Sequence, residues 1–163
     1  MNKLYSFNVK YATEEDIPAI AAITHDAFIK YCELAKIPPT VEALRETHED
    51  IRRDIIEKDV FVAFIDDEPV GSVRVAEIDE KTSYLSRFGV SENHRNSGIG
   101  KILLNVVDKL MREKKMERLM LNTSSAAFPL IRFYYGRGFY ITGVEYSRGY
   151  PRAELVKFYE YED

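Results

Sequence analysis

Apolar and polar positions along this chain change period several times, and each change marks an element. Residues 7–11 alternate as a short strand. Thr13-Glu14-Glu15-Asp16 then opens a helix, with a hydroxyl to cap its first amides and acids where the helix dipole favours them. Ile17, Ile20, Ala21, Thr24, Ala27, Phe28 and Tyr31 keep helical spacing up to a break at Ile37-Pro38-Pro39. Thr40 is placed to cap a second helix, in which Val41, Leu44, His48, Ile51 and Ile55 share a face and Glu42, Arg45, Glu49, Arg52 and Arg53 are mostly solvated. Residues 60–65 and 70–78 read as an antiparallel pair about the turn Asp66-Asp67-Glu68-Pro69, with Val73 and Val75 alternating with Arg74 and Ala76.

A second hairpin, through Asp79-Glu80-Lys81, leads into a strand that ends at Val90. Gly89 inside that strand predicts a bulge or a close backbone approach. A polar loop, residues 91–97, follows, then Gly98-x-Gly100 and an amphipathic helix. Ile99, Leu103, Val106 and Leu110 make its apolar face, and Lys101, Asn105, Asp108 and Arg112 the opposite stripe. Residues 118–122 read as a buried parallel-type strand, and Pro129 fits the first turn of a last helix that Gly136 and Gly138 end. Residues 139–144 and 155–161 complete the sheet across a loop containing Arg148, Gly149, Tyr150 and Pro151.

Strand, glycine turn and helix make a phosphate-binding geometry. The first amides of a helix have no intrahelical partner and carry partial positive charge, and glycine lets a phosphate approach them. The spacing fits neither a dinucleotide fingerprint, which needs a third glycine, nor a Walker loop, since Ile102 follows Gly100-Lys101 where Ser or Thr is required.

What remains, Arg95-x-x-Gly98-x-Gly100 after a strand end, resembles the coenzyme A loop of the GCN5-related N-acetyltransferase (GNAT) family. Leu130-Ile131-Arg132-Phe133-Tyr134-Tyr135-Gly136-Arg137-Gly138-Phe139 is similar to the later helix of that family, with its Phe-Tyr pair followed by Gly-Phe. The order and separation of the two motifs also fit, and so does the opening Ala12-Thr13-Glu14-Glu15-Asp16-Ile17-Pro18, so the likeness extends over nearly the whole chain.

The resemblance implies an α/β (α+β) fold. Its mixed, mostly antiparallel sheet has six to seven strands, is flanked by about four helices, and splays between the fourth and fifth strands. It implies acetyl-CoA as cosubstrate and no metal. The diphosphate then lies over Arg95, Asn96, Ser97, Gly98, Gly100 and Lys101, with charge from Arg95 and Lys101 and backbone amides from Asn96 and Ser97. Backbone groups of Phe88 and Val90 face the acetyl-pantetheine, and the strand ending at Asn122 forms the other wall. Tyr134 matches the second residue of the Phe-Tyr pair and is expected to hydrogen-bond the departing sulfur, with Tyr135 the neighbouring alternative. Ordinary pKa values of about 10 for tyrosine and about 8.5 for a thiol make full proton transfer uphill by roughly 2 kcal/mol, so Tyr134 is a hydrogen-bond donor first.

The general base stays open. Some family members carry a Glu on the key strand where this chain has Tyr84. Glu77, His48, His94 and a water-mediated route are the alternatives, with His48 read as a partly buried packing histidine and Glu77 as hairpin surface. An Asn often found before the last helix is Ala127 here, which puts one pantetheine contact in doubt.

Composition narrows the remaining classes. With 163 residues and 45% apolar content the chain suits a single acetyltransferase domain, residues 1–163, with a real core. A net charge of −4 gives no reason to expect nucleic acid and makes a cationic acceptor natural, and Glu33, Glu42 and Glu46 are candidates to attract one or a merely solvated face. No apolar run reads as a signal peptide or a membrane span, so no membrane partner is expected and a cytoplasmic location is the default. Cys32, the one cysteine, excludes an intrachain disulfide and is assigned no role. The expected acceptor is a primary amine of a small molecule or a protein, around the first two helices and Tyr150. A homodimer is the commonest assembly of such chains. A non-catalytic acyl-CoA sensor with the same fold is the competing class.

Overall fold

The computed structural model describes residues 6–162. Among them, seven strands form one sheet in the order β1-β2-β3-β4-β5-β7-β6. The strands are β1 (Phe7–Tyr11), β2 (Asp59–Ile65), β3 (Glu68–Glu77), β4 (Thr82–Val90), β5 (Arg118–Ser124), β6 (Tyr140–Glu145) and β7 (Arg152–Phe158). Four α-helices cover it: α1 (Ile17–Ala35), α2 (His48–Glu57), α3 (Ile99–Glu113) and α4 (Phe128–Gly136). β4 and β5 run parallel and the other neighbouring pairs antiparallel. The expected mixed, mostly antiparallel architecture is the one observed.

Alternation along the strands sorts their side chains to two cores. Phe61, Ala63, Val73, Val75 and Leu85 pack with Ile99, Leu103, Val107 and Met111 of α3. On the other face Val60 and Val62 pack with Ile17 and Ile20 of α1 and Ile51 of α2. The buried stripe of α3 is wider than its sequence periodicity suggests, adding Leu104, Val107 and Met111 while Val106 is only half-buried. On its polar stripe Asp108 is not free: it accepts from Lys157 Nζ at 2.9 Å and Tyr159 Oη at 2.6 Å.

Three expectations need correction. The second helix does not begin at Thr40. Residues Glu42–Arg45 form a single 3₁₀ turn, the chain extends at Glu46, and α2 starts after Thr47. Thr47 Oγ1 accepts from Asp50 N at 3.1 Å, and Asp50 Oδ2 accepts from Thr47 N at 2.9 Å, a reciprocal cap that Thr40 cannot supply. The later start turns His48 out, so it is exposed and not a packing histidine. Arg74, read as the polar partner in an alternating strand, is fully buried at 0% exposure because helices cover both faces of the sheet.

Gly89 fits the close-approach expectation. A Cβ built there lies 2.7 Å from Ala27 Cβ of α1, so only glycine lets the helix seat on β4. Gly89→Ala is expected to cost about 1–3 kcal/mol by forcing α1 outward, readable as a lower midpoint in chemical denaturation. The bulge itself sits just before it. Ser72 pairs with Gly89 and Arg74 with Ser86, which leaves Arg87 and Phe88 together opposite Val73. Arg87 adopts the left-handed conformation at φ 51°.

Candidate active site

β4 and β5 are in register only from Thr82 to Tyr84, paired with Arg118 to Met120. Beyond Tyr84 the two strands separate, and a cleft of about 780 Å³ runs through the gap. Phe88, Val90, Arg95, Asn96, Gly98, Gly100, Lys101, Asn122 and Tyr134 all line it. Of the nominated residues Ser97 does not, and its hydroxyl is turned onto the His94 carbonyl.

At one end the loop after β4 delivers the chain to α3. Asn96 and Gly98 take left-handed conformations at φ 70° and 88°, and Gly98 caps α3 with no side-chain bond to the first amides. Ile102 N is the amide that donates to Gly98 O, at 3.0 Å. The amides of Ile99, Gly100 and Lys101 precede that bond and are left for an anion. Gly100 keeps this turn close to an aromatic floor, because a Cβ there lies 3.1 Å from Phe88 and 3.3 Å from Phe133.

Arg95 braces this loop. Its Nε donates to Val90 O at 3.2 Å and its guanidinium reaches Asp26 Oδ2 of α1 at 3.3 Å. The same Asp26 oxygen accepts from Glu92 N at 3.0 Å, so one carboxylate of α1 holds both ends of the loop. Much of the charge assigned to Arg95 is therefore met within the protein, while Lys101 stays exposed.

In the middle of the gap stands Tyr134. Its ring packs in an aromatic cluster with Phe88, Phe133 and Phe139, at centroid separations of 6.1, 5.6 and 5.5 Å. Among the described residues its hydroxyl has no hydrogen-bond partner, although the side chain is buried and lines the cleft. Burial, with a smaller contribution from nearby Tyr84, raises its phenol well above the ordinary tyrosine range. Tyr135 is half exposed and lies outside the cleft lining, which separates the two neighbouring candidates.

Tyr84 stands where the strands part and donates to Asn122 Oδ1 at 2.6 Å, bridging β4 and β5 at the root of the splay. Burial raises its pKa too. Of the three candidate bases only His94 lines the cleft, with Nδ1 2.9 Å from Ser91 Oγ. His48 and Glu77 do not, and Glu77 pairs with Lys114 Nζ at 2.8 Å.

At the far end, α1, residues 41–43 and the loop before β7 enclose the cleft. Tyr31 Oη of α1 accepts from Ser124 N at 3.0 Å and lies 2.9 Å from Tyr150 Oη, closing a span of 119 residues along the chain. No local pattern signals that meeting. The acids at this end are engaged: Glu42 pairs with Arg148 at 3.8 Å, and Asp54 with Lys58 at 3.2 Å. Among the described residues no group of three or more His, Cys, Asp or Glu is placed to hold a metal ion, and no helix is long and apolar enough to cross a membrane.

Solved structures share this architecture. The PaiA N-acetyltransferase of Thermoplasma acidophilum, in complex with coenzyme A, superposes with a TM-score of 0.82 at 21% identity, over 94% of this chain and 99% of that one. YncA of Salmonella typhimurium, described as a putative acetyltransferase and solved with acetyl-CoA, gives 0.74 at 16% identity, over 97% and 96%. The ribosomal-protein-S18-alanine N-acetyltransferase of Escherichia coli gives 0.77 at 12% identity, over 97% of each chain. At these identities the likeness is one of fold. The sequence itself matches the acetyltransferase (GNAT) family over residues 25–139. That match, with the splayed sheet and the uncapped helix at its mouth, makes this chain a member of the acetyltransferase (GNAT) family.

Proposed function

We propose that the chain transfers an acetyl group from acetyl-CoA directly to a primary amine of a small molecule or of a protein or peptide. The observation that carries this reading is one continuous cleft with an uncapped helix N-terminus at one end and, on its wall, the buried ring of Tyr134 with an unpartnered hydroxyl. The fit to coenzyme A rests on those two features. The amides of Ile99 to Lys101 suit a diphosphate, and Phe88, Phe133 and Leu130 offer an apolar wall to a pantetheine arm. Acetyl-CoA supplies an activated thioester to this cleft.

The residues then divide the work. Backbone amides at Phe88 and Val90 hold the acyl oxygen as negative charge develops on it. The amine nitrogen forms the new C–N bond, the C–S bond breaks, and Tyr134 donates to the sulfur as it leaves. Tyr84 is no base at neutral pH, since burial favours its protonated form and its hydroxyl already donates to Asn122 Oδ1. His48 and Glu77 lie away from the cleft lining, and His94, which lines it, belongs to the loop at the anion-binding end with Nδ1 against Ser91 Oγ, so we assign the amine's proton to water or to loss before binding.

The far end of the cleft bears on which amines it favours. Tyr31, Tyr150, Arg148 and Arg152 line it, and its two acids are paired. The net acidity of the chain therefore does not extend to this pocket, and a polycation gains no free carboxylate there.

Binding is tested by thermal shift. Acetyl-CoA at a hundred times its dissociation constant adds about 2.7 kcal/mol to stability, a rise of several degrees in Tm for a domain of this size. No shift at millimolar acetyl-CoA overturns the coenzyme A reading.

A further inference from the structure

A buried ion-pair group joins the acceptor end of the cleft to the bulged strand. Glu46, with its side chain 6% exposed, receives Arg74 Nη1 at 2.5 Å on Oε2 and Arg74 Nη2 at 2.7 Å on Oε1. Arg74 Nη1 also reaches Asp54 Oδ2 of α2 at 2.8 Å, so the guanidinium is fixed by two carboxylates. Glu46 Oε2 then accepts from Arg87 Nε at 3.3 Å, while the Arg87 guanidinium lies 5.9 Å from the centre of the Phe28 ring.

Arg87 is the residue of β4 held in the left-handed conformation, at the point where two residues stand opposite one. That backbone state is strained for a residue with a Cβ and persists only where surroundings enforce it. A glycine gives the same backbone shape without strain. Arginine at this point makes physical sense when its side chain is what holds the shape, and its partner is a carboxylate that Arg74 has already immobilised.

We propose that Glu46 is a positioning residue, which holds the Arg87–Phe88 bulge through Arg87 and thereby keeps the acyl-binding amides of β4 in place. Glu46 also ends the segment whose Val41, Glu42 and Ala43 line the acceptor end, so one carboxylate links that segment to the bulge. This inference rests on the reading that amides at Phe88 and Val90 hold the acetyl oxygen.

Calorimetric titration with acetyl-CoA and with CoA separates the two levels. Wild-type protein is expected to favour acetyl-CoA, because CoA lacks the thioester carbonyl oxygen. Glu46→Gln is expected to lower that preference about fivefold while leaving CoA affinity unchanged. Arg87→Gln keeps the Arg74–Glu46–Asp54 group and should lower the preference equally, and the double substitution should lower it no further. A preference unchanged in either single variant, or losses that multiply in the double one, overturns the role of Glu46, because a purely structural role moves Tm alone. Equal wild-type affinity for the two ligands overturns the acyl contact beneath it, and wild-type protein that binds neither overturns the coenzyme A reading itself.

Discussion

Tyr134→Phe is expected to lower kcat on the order of a hundredfold, the usual scale for a positioned proton donor, while leaving acetyl-CoA affinity little changed. The ring packs with Phe88, Phe133 and Phe139, and phenylalanine preserves that packing, so the substitution removes the hydroxyl alone. In the free protein that hydroxyl has no partner to lose among the described residues. The loss therefore falls on the step in which the thiolate leaves, and it appears in kcat and kcat/KM together. Because burial raises the phenol's pKa, Tyr134 stays protonated throughout the neutral range and adds no alkaline limb to the rate below the ordinary tyrosine pKa of about 10. Steady-state kinetics beside a binding titration checks both halves. An equal fall in turnover and affinity contradicts the donor role.

Arg74→Met is expected to cost about 3–5 kcal/mol, the largest stability loss among the substitutions considered. Methionine keeps most of the volume of the buried stem, so the cause is not a cavity. Removing the guanidinium leaves Glu46, which is buried, with only the 3.3 Å contact to Arg87, and Asp54 with only Lys58. For a domain of this size the loss corresponds to a fall of roughly 10 °C in Tm, measured by scanning calorimetry. A change below about 2 °C means the pair contributes nothing beyond its own desolvation.

How legible these features are in the sequence depends on the range of the interaction behind them. The loop from Val90 to Lys101 is local: glycine at a left-handed position, an uncapped helix start and the apolar stripe of α3 are all contained in one short stretch. Tyr134 is legible for the same reason, through a contiguous aromatic motif that resembles a known family. Glu46, Arg74 and Arg87 lie on three separate segments, and nothing in their neighbours marks them as partners. Arg74 in an alternating strand reads as solvent-facing unless helices on both faces are already known. The bulge is announced by Gly89 yet falls at Arg87, because glycine there serves the approach of α1. Thr40 is the threonine that the helical spacing from Val41 onward singles out, and the reciprocal bond between Thr47 and Asp50 moves the cap to Thr47. The meeting of Tyr31 with Tyr150 comes from the fold alone.

The most direct test of the central claim is release of CoA thiol from acetyl-CoA by the purified protein. The acceptor panel contains amino acids, amine-terminated and lysine peptides, aminoglycosides and polyamines. Turnover is expected to concentrate on one class of primary amine, with the N-acetylated product identified by mass and the rate lost in Tyr134→Phe. Acetyl-CoA binding with no thiol release on any acceptor contradicts that expectation and leaves an acyl-CoA sensor or an enzyme confined to one specific protein substrate.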